Sequence, residues 1–120
     1  MPESFSIDTD RGVVHCRAWG RFTSEELMAH YTRMRAHPEF DPGFRQLGDL
    51  RDVEEFDITT ATVEAAAELP TFTPGTRRAL VASETVQFGL ARMFGSFAEL
   101  NGQEVRVFRD YDEAVRWLTE

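Results

Sequence analysis

The chain has 120 residues, 42% of them hydrophobic, and carries a formal net charge of −8 at pH 7. That is one domain's length, enough to bury roughly two-thirds of its unfolded-chain surface without disulfide or metal. So acidic a chain argues against nucleic acid and anionic membrane surfaces as partners, since both demand basic patches. The single cysteine, Cys16, leaves no intrachain disulfide and no cysteine-based zinc site. The opening Met-Pro-Glu-Ser lacks the apolar run of a signal peptide. No stretch approaches the roughly 18 consecutive apolar residues of a membrane span. The expectation is a cytoplasmic protein.

In chain order, Phe5 to Asp8 and Gly12 to Trp19 read as two strands joined by the turn-forming Thr9-Asp10-Arg11-Gly12. On the second, Val14, Cys16 and Ala18 share one face, with Val13, His15, Arg17 and Trp19 on the other. Gly20 is expected to end it. Thr23-Ser24-Glu25-Glu26 is a capping box, with Phe22 and Leu27 placed as a hydrophobic staple. Leu27, Tyr31 and Met34, with Met28 beside them, form the inward stripe of the first helix, which His37-Pro38 stops. Phe44 to Leu50 is the third strand, placing Asp49 at a strand end. The acids Asp49, Asp52, Glu54, Glu55 and Asp57 follow it as a loop. Asp57 is expected to cap a second helix from about Ile58 to Leu69, facing inward through Ile58, Ala61, Ala65 and Leu69.

Arg77 to Leu100 is the centre of the pattern. A charged pair, Arg77-Arg78, bounds a short apolar strand from Ala79 to Ala82. A helix follows, in which Val86, Leu90, Met93, Phe97 and Leu100 recur every three or four residues as an expected inward stripe. A buried strand running into an amphipathic helix is half of a βαβ unit, hence a parallel or mixed sheet. Asn101-Gly102 ends that helix, Val105 to Phe108 is the last strand, and Asp110 opens a helix whose Ala114, Trp117 and Leu118 face inward. The order is ββαβαβαβα, a single α/β domain over residues 1–120 with a five-stranded mixed sheet and four helices.

That order resembles the SpoIIAA-like domains, relatives of the STAS fold. The likeness is carried by Phe88-Gly89-Leu90-Ala91-Arg92-Met93-Phe94, by Val107-Phe108-Arg109-Asp110 with Ala114, Trp117 and Leu118, and by Asp49-Leu50. The resemblance implies a mixed sheet packed with helices, related to the CRAL-TRIO lipid-transfer fold, in a bacterial family whose members mostly have no assigned activity. STAS switch proteins carry an Asp-Ser pair before the helix that follows the third strand, and the serine is phosphorylated. Here Asp57 matches the aspartate, but Ile58 has no hydroxyl, and Thr59 follows. The phosphorylation switch is therefore expected to be absent, with Thr59 and Thr60 as weak substitutes at a helix N-terminus.

Cys16 and His15 are neighbours in a strand and point to opposite faces, so they form no thiolate–imidazole pair. Cys16 reads as a small core residue. His30 and His37 share a helix face but lack a third ligand nearby, and read as solvated. The acidic run could hold Mg²⁺ beyond a strand end, yet its ordinary reading is a solvated loop. Phe88 falls opposite the expected inward stripe, on one surface with Ala91, Arg92, Gly95 and Ala98. It marks either a contact with a partner or ligand, or an entry-loop residue packed on the core. Three functions follow. The first is a non-enzymatic interaction or regulatory module, a homodimer with a possible regulatory partner, contacting through Asp57, Ile58, Thr59, Phe88, Ala91, Arg92, Phe94 and Gly95. The second is a carrier or sensor of a small apolar ligand held near Phe88, Phe94, Phe97 and Trp117. The third, an enzyme, lacks a nucleophile–base–orienter set; no cofactor or metal is expected.

Overall fold

Residues 2–120 are described in a computed structural model. Five strands, β1 (Glu3–Asp8), β2 (Val13–Thr23), β3 (Arg45–Asp57), β4 (Arg77–Val81) and β5 (Glu104–Phe108), lie side by side in sequence order. The β1–β2 hairpin is antiparallel and every later pairing is parallel. Each parallel step carries a crossover helix: α1 (Ser24–Ala36), α2 (Thr60–Glu68) and α3 (Thr85–Leu100). All three steps move in one direction across the sheet, so right-handed crossovers put the three helices on one face. The other face is left to α4 (Tyr111–Thr119), whose Ala114, Trp117 and Leu118 pack on Val13, Leu47, Ala79 and Val81.

The capping box at the start of α1 is present. Thr23 Oγ1 accepts from the Glu26 N–H at 3.3 Å, and the Glu26 carboxylate accepts from the Thr23 N–H at 2.9 Å. Phe22 and Leu27 meet in one cluster with Val53, as the staple requires. At the far end of the chain, Asp110 caps α4 and Asn101 closes α3, with Gly102 in the left-handed region at φ 77°.

Five expectations change. Gly20 does not end β2: at φ 62° it lies between two register shifts, and the strand runs on to Thr23. The acidic run is not a loop but the continuation of β3, paired in parallel with Trp19 to Thr23, and Asp49 lies within that strand. Arg17 pairs with Asp52, and Arg21 with Glu55 and Asp57, across this ribbon. Thr59, not Asp57, caps α2, its Oγ1 accepting from the Thr62 N–H at 3.1 Å. The inward residues of α2 are Val63, Ala66 and Ala67, while Ala61 and Ala65 are exposed.

The fifth change is a rotation of α3. Ala91, Phe94, Gly95 and Ala98 are buried, whereas Val86 is 72% and Leu100 84% exposed. Small residues face the strands because the helix lies close to them: a Cβ on Gly95 would stand 3.6 Å from a Val105 methyl. Close approach to the sheet outweighed the larger apolar area of the opposite stripe.

Replacing Thr23 by Ala should destabilise the protein by about 1 kcal/mol through loss of the cap. The shift is read as the urea midpoint at constant slope, and an unchanged midpoint contradicts the role given to the cap.

Candidate functional site

Between the sheet and the three crossover helices lies a cavity of about 90 Å³. Its floor is Cys16 and Ala18 of β2, Gln46 and Gly48 of β3, and Leu80 of β4. Gly48 keeps that floor low, since a Cβ there would stand 2.7 Å from Leu80 Cδ2. His30 and Tyr31 of α1, Val63 of α2, and Leu90, Ala91 and Phe94 of α3 line its helical side, and Arg17, Asp49, Leu50 and Ile58 are among its other walls.

Two buried polar clusters border this space. In the first, Glu3 accepts from Arg33 and lies 2.7 Å from His30 Nδ1, tying the edge strand β1 to α1. Burial works to raise the Glu3 pKa, but the hydrogen bonds from Arg33 and His30 outweigh it and hold the carboxyl below its usual range. Burial pushes the His30 imidazole down despite Glu3, so His30 is held neutral. His30 is therefore a buried, partnered group and not a solvated flank residue. His37, half-buried at the end of α1, accepts from the Glu39 N–H, and the Phe5 ring meets both imidazoles edge-on.

The second cluster centres on Arg78, a residue the sequence places at the edge of a strand and the structure places inside the sheet, 2% exposed. Its Nε donates to Gln46 Oε1 at 2.9 Å, one terminal nitrogen to Tyr31 Oη at 2.9 Å and the other to Gln103 Oε1. Gln46 in turn donates to Cys16 Sγ at 3.5 Å. The guanidinium lies over Phe72 at 4.5 Å and Phe94 at 5.4 Å. The missed signal was alternation: Arg78, Leu80 and Ala82 share one strand face, so the residue before the apolar run was already in register with it.

Chemically the site is quiet. Burial pushes the Cys16 thiol up to about 12 and the Tyr31 hydroxyl above its ordinary value, so neither supplies an anion at neutral pH. Among the described residues no group of three or more His, Cys, Asp or Glu stands close enough to hold a metal ion. No helix among them is long and apolar enough to cross a membrane.

Of the residues singled out from the sequence, Ile58, Ala91 and Phe94 come together at the cavity. Asp57 and Thr59 are exposed, at the end of β3 and the start of α2. Phe88 is half-buried, with Arg109 4.2 Å and Arg92 5.9 Å from its ring centre. Gly95 and Ala98 face the sheet, so the surface proposed for outward contact on α3 is largely its buried side.

With the topology and cavity in view, comparison with solved structures decides the fold. An uncharacterized protein of the DUF3478 family from Shewanella loihica PV-4, described as having a SpoIIAA-like fold, superposes with a TM-score of 0.63 at 16% identity. The match covers 97% of this chain and 93% of that one. The fold is SpoIIAA-like. No protein-family model matches the chain, and no curated protein does. At this identity the SpoIIAA-like neighbour speaks to architecture alone.

Because His30 is held neutral in the fold, the unfolded chain binds the extra proton below about pH 6.5, and stability falls as pH drops through that value. Glu3, depressed in the fold, adds a second loss below about pH 4.5 in the same direction. The melting temperature should decline on acidification below neutrality, and His30→Gln should flatten the upper part of that decline. A profile with the same slope in the variant contradicts the assignment.

Proposed function

We propose that this SpoIIAA-like chain is a non-enzymatic protein-interaction module that pairs with a second copy of itself through α3. The observation carrying this reading is the outer edge of that helix, where Val86 and Leu100 are exposed and Met93 and Phe97, packed against the core on one side, are half-buried. Leaving a large apolar side chain in water forgoes about 1.5–3 kcal/mol of burial. The stripe contains no charge, so it is the part of an acidic molecule where two copies meet with least repulsion. It also reads alike in both directions: Val86 and Leu100 stand seven residues either side of Met93. An antiparallel copy would therefore set Met93 on Met93 and Val86 on Leu100, the self-complementarity of a two-fold contact.

A 16-residue helix presents a strip roughly 24 Å by 10 Å. That falls short of the ~800 Å² per partner of a standard interface, so the dimer is weak. The exposed Ala61 and Ala65 of the adjoining α2 allow close approach around it. The phosphorylation switch of STAS relatives plays no part in this reading. Ile58 has no hydroxyl and its side chain lines the cavity, while the Thr59 hydroxyl is engaged as a helix cap.

A second reading, a carrier or sensor of a small ligand, is favoured by the cavity itself. An engineered cavity of about 150 Å³ holds benzene, so about 90 Å³ admits only a smaller body and no lipid chain.

Sedimentation equilibrium at micromolar concentrations should show a monomer–dimer equilibrium, and Met93→Glu should abolish it while leaving the helical circular dichroism unchanged. A wild type that stays monomeric throughout, or a variant that dimerises as well as the wild type, contradicts the reading.

A further inference from the structure

Arg78 is a buried cation without an anion. Its three acceptors, Gln46, Gln103 and Tyr31, are all neutral oxygens, and among the described residues no carboxylate stands within ion-pair distance of it. Desolvating a guanidinium is costly, and the two phenylalanine rings and three dipoles offset only part of that cost. Such a group stabilises an anion brought near it in the same low-dielectric interior.

The hydrogen bonds from Arg78 lead to the cavity wall. Tyr31 and Gln46, which accept directly, and Cys16, which Gln46 reaches, all line it. The Tyr31 oxygen accepts from Arg78, so its own proton is available to donate, and the cation behind it strengthens that donation. Two carboxylates also border the space: Glu3, matched by Arg33 and hydrogen-bonded to His30, and Asp49, paired with Arg51. The unmatched charge at this end is therefore positive. Apart from these groups and Arg17, which pairs with Asp52, the walls are apolar, among them Phe22, Val63, Leu80, Leu90 and Phe94.

We propose that the cavity is a binding site for a small monocarboxylate with a short apolar body. Its carboxylate accepts from the Tyr31 hydroxyl with its charge balanced by Arg78, and its hydrocarbon lies against Leu80, Leu90 and Phe94. Scaling from benzene in a cavity of about 150 Å³, the available space holds about four non-hydrogen atoms, the size of acetate. The proposal rests on the ligand reading of the cavity and is independent of pairing through α3.

The test is an NMR titration of ¹⁵N-labelled protein with acetate and, separately, with the uncharged acetamide. Acetate should saturate at millimolar concentrations, shifting resonances of Tyr31, Gln46 and Phe94, and the amide should bind at least about tenfold more weakly. Tyr31→Phe, which keeps the ring and removes the donor, should weaken acetate about tenfold and leave the amide unchanged. Arg78→Met should erase the preference for the acid; where it fails to fold, Tyr31→Phe carries the test alone. If neither compound saturates, the ligand reading falls and the proposal with it. If the amide binds as tightly as the acid, or Tyr31→Phe leaves acetate unaffected, the ligand reading stands and the carboxylate proposal is overturned.

Discussion

The guanidinium of Arg78 is the constraint around which the helical face is arranged. It belongs to β4, bonds Gln46 of β3, Tyr31 of α1 and Gln103 just before β5, and lies between Phe72, ahead of β4, and Phe94 of α3. A hydrogen bond to a buried charge contributes about 1.5–3 kcal/mol, a sizeable share of the 5–15 kcal/mol that holds a domain together. The distances of α1 and α3 from the sheet are thus set by one polar group as much as by apolar packing. The Glu3–His30–Arg33 cluster does the same for the edge strand, tying β1 to α1 where the sheet has no further neighbour.

Chain topology explains why these constraints meet in one place. Three same-handed crossovers stack α1, α2 and α3 on one face, so every polar residue of that face must be satisfied beneath them. α3 resolves its part with small residues. Ala91, Gly95 and Ala98 let the helix settle against β5, and Val86 and Leu100 of the same helix are then left facing out. The cavity remains where Gly48 leaves the floor low and no neighbouring side chain fills the gap.

Much of this was legible in the amino-acid sequence. The element order, the capping box at Thr23, the terminator at Asn101-Gly102 and the inward face of α4 all rest on local rules that tertiary packing did not override. The failures share a cause. Periodicity ranks side chains by hydrophobicity, and on α3 it selected Val86 and Leu100 where backbone proximity required alanine and glycine. Charge was read as a strand boundary at Arg78 and as solvent at His30, and both are buried in hydrogen-bonded clusters. The acids Asp52, Glu54, Glu55 and Asp57 are exposed as expected, but they continue a strand whose partner, Trp19 to Thr23, could not be identified from local pattern. The cavity had no local signal, because its walls come from strands and helices far apart in the chain.

The central claim is that a charged arginine sits inside this protein, held by neutral partners and aromatic rings. Hydrogen exchange of the Arg78 Nε–H, followed by ¹⁵N NMR, tests it most directly. A resonance protected far beyond that of the exposed arginines, with cross-relaxation to the Phe72 and Phe94 rings, is the expected result. Exchange at the rate of a solvated side chain would contradict the account.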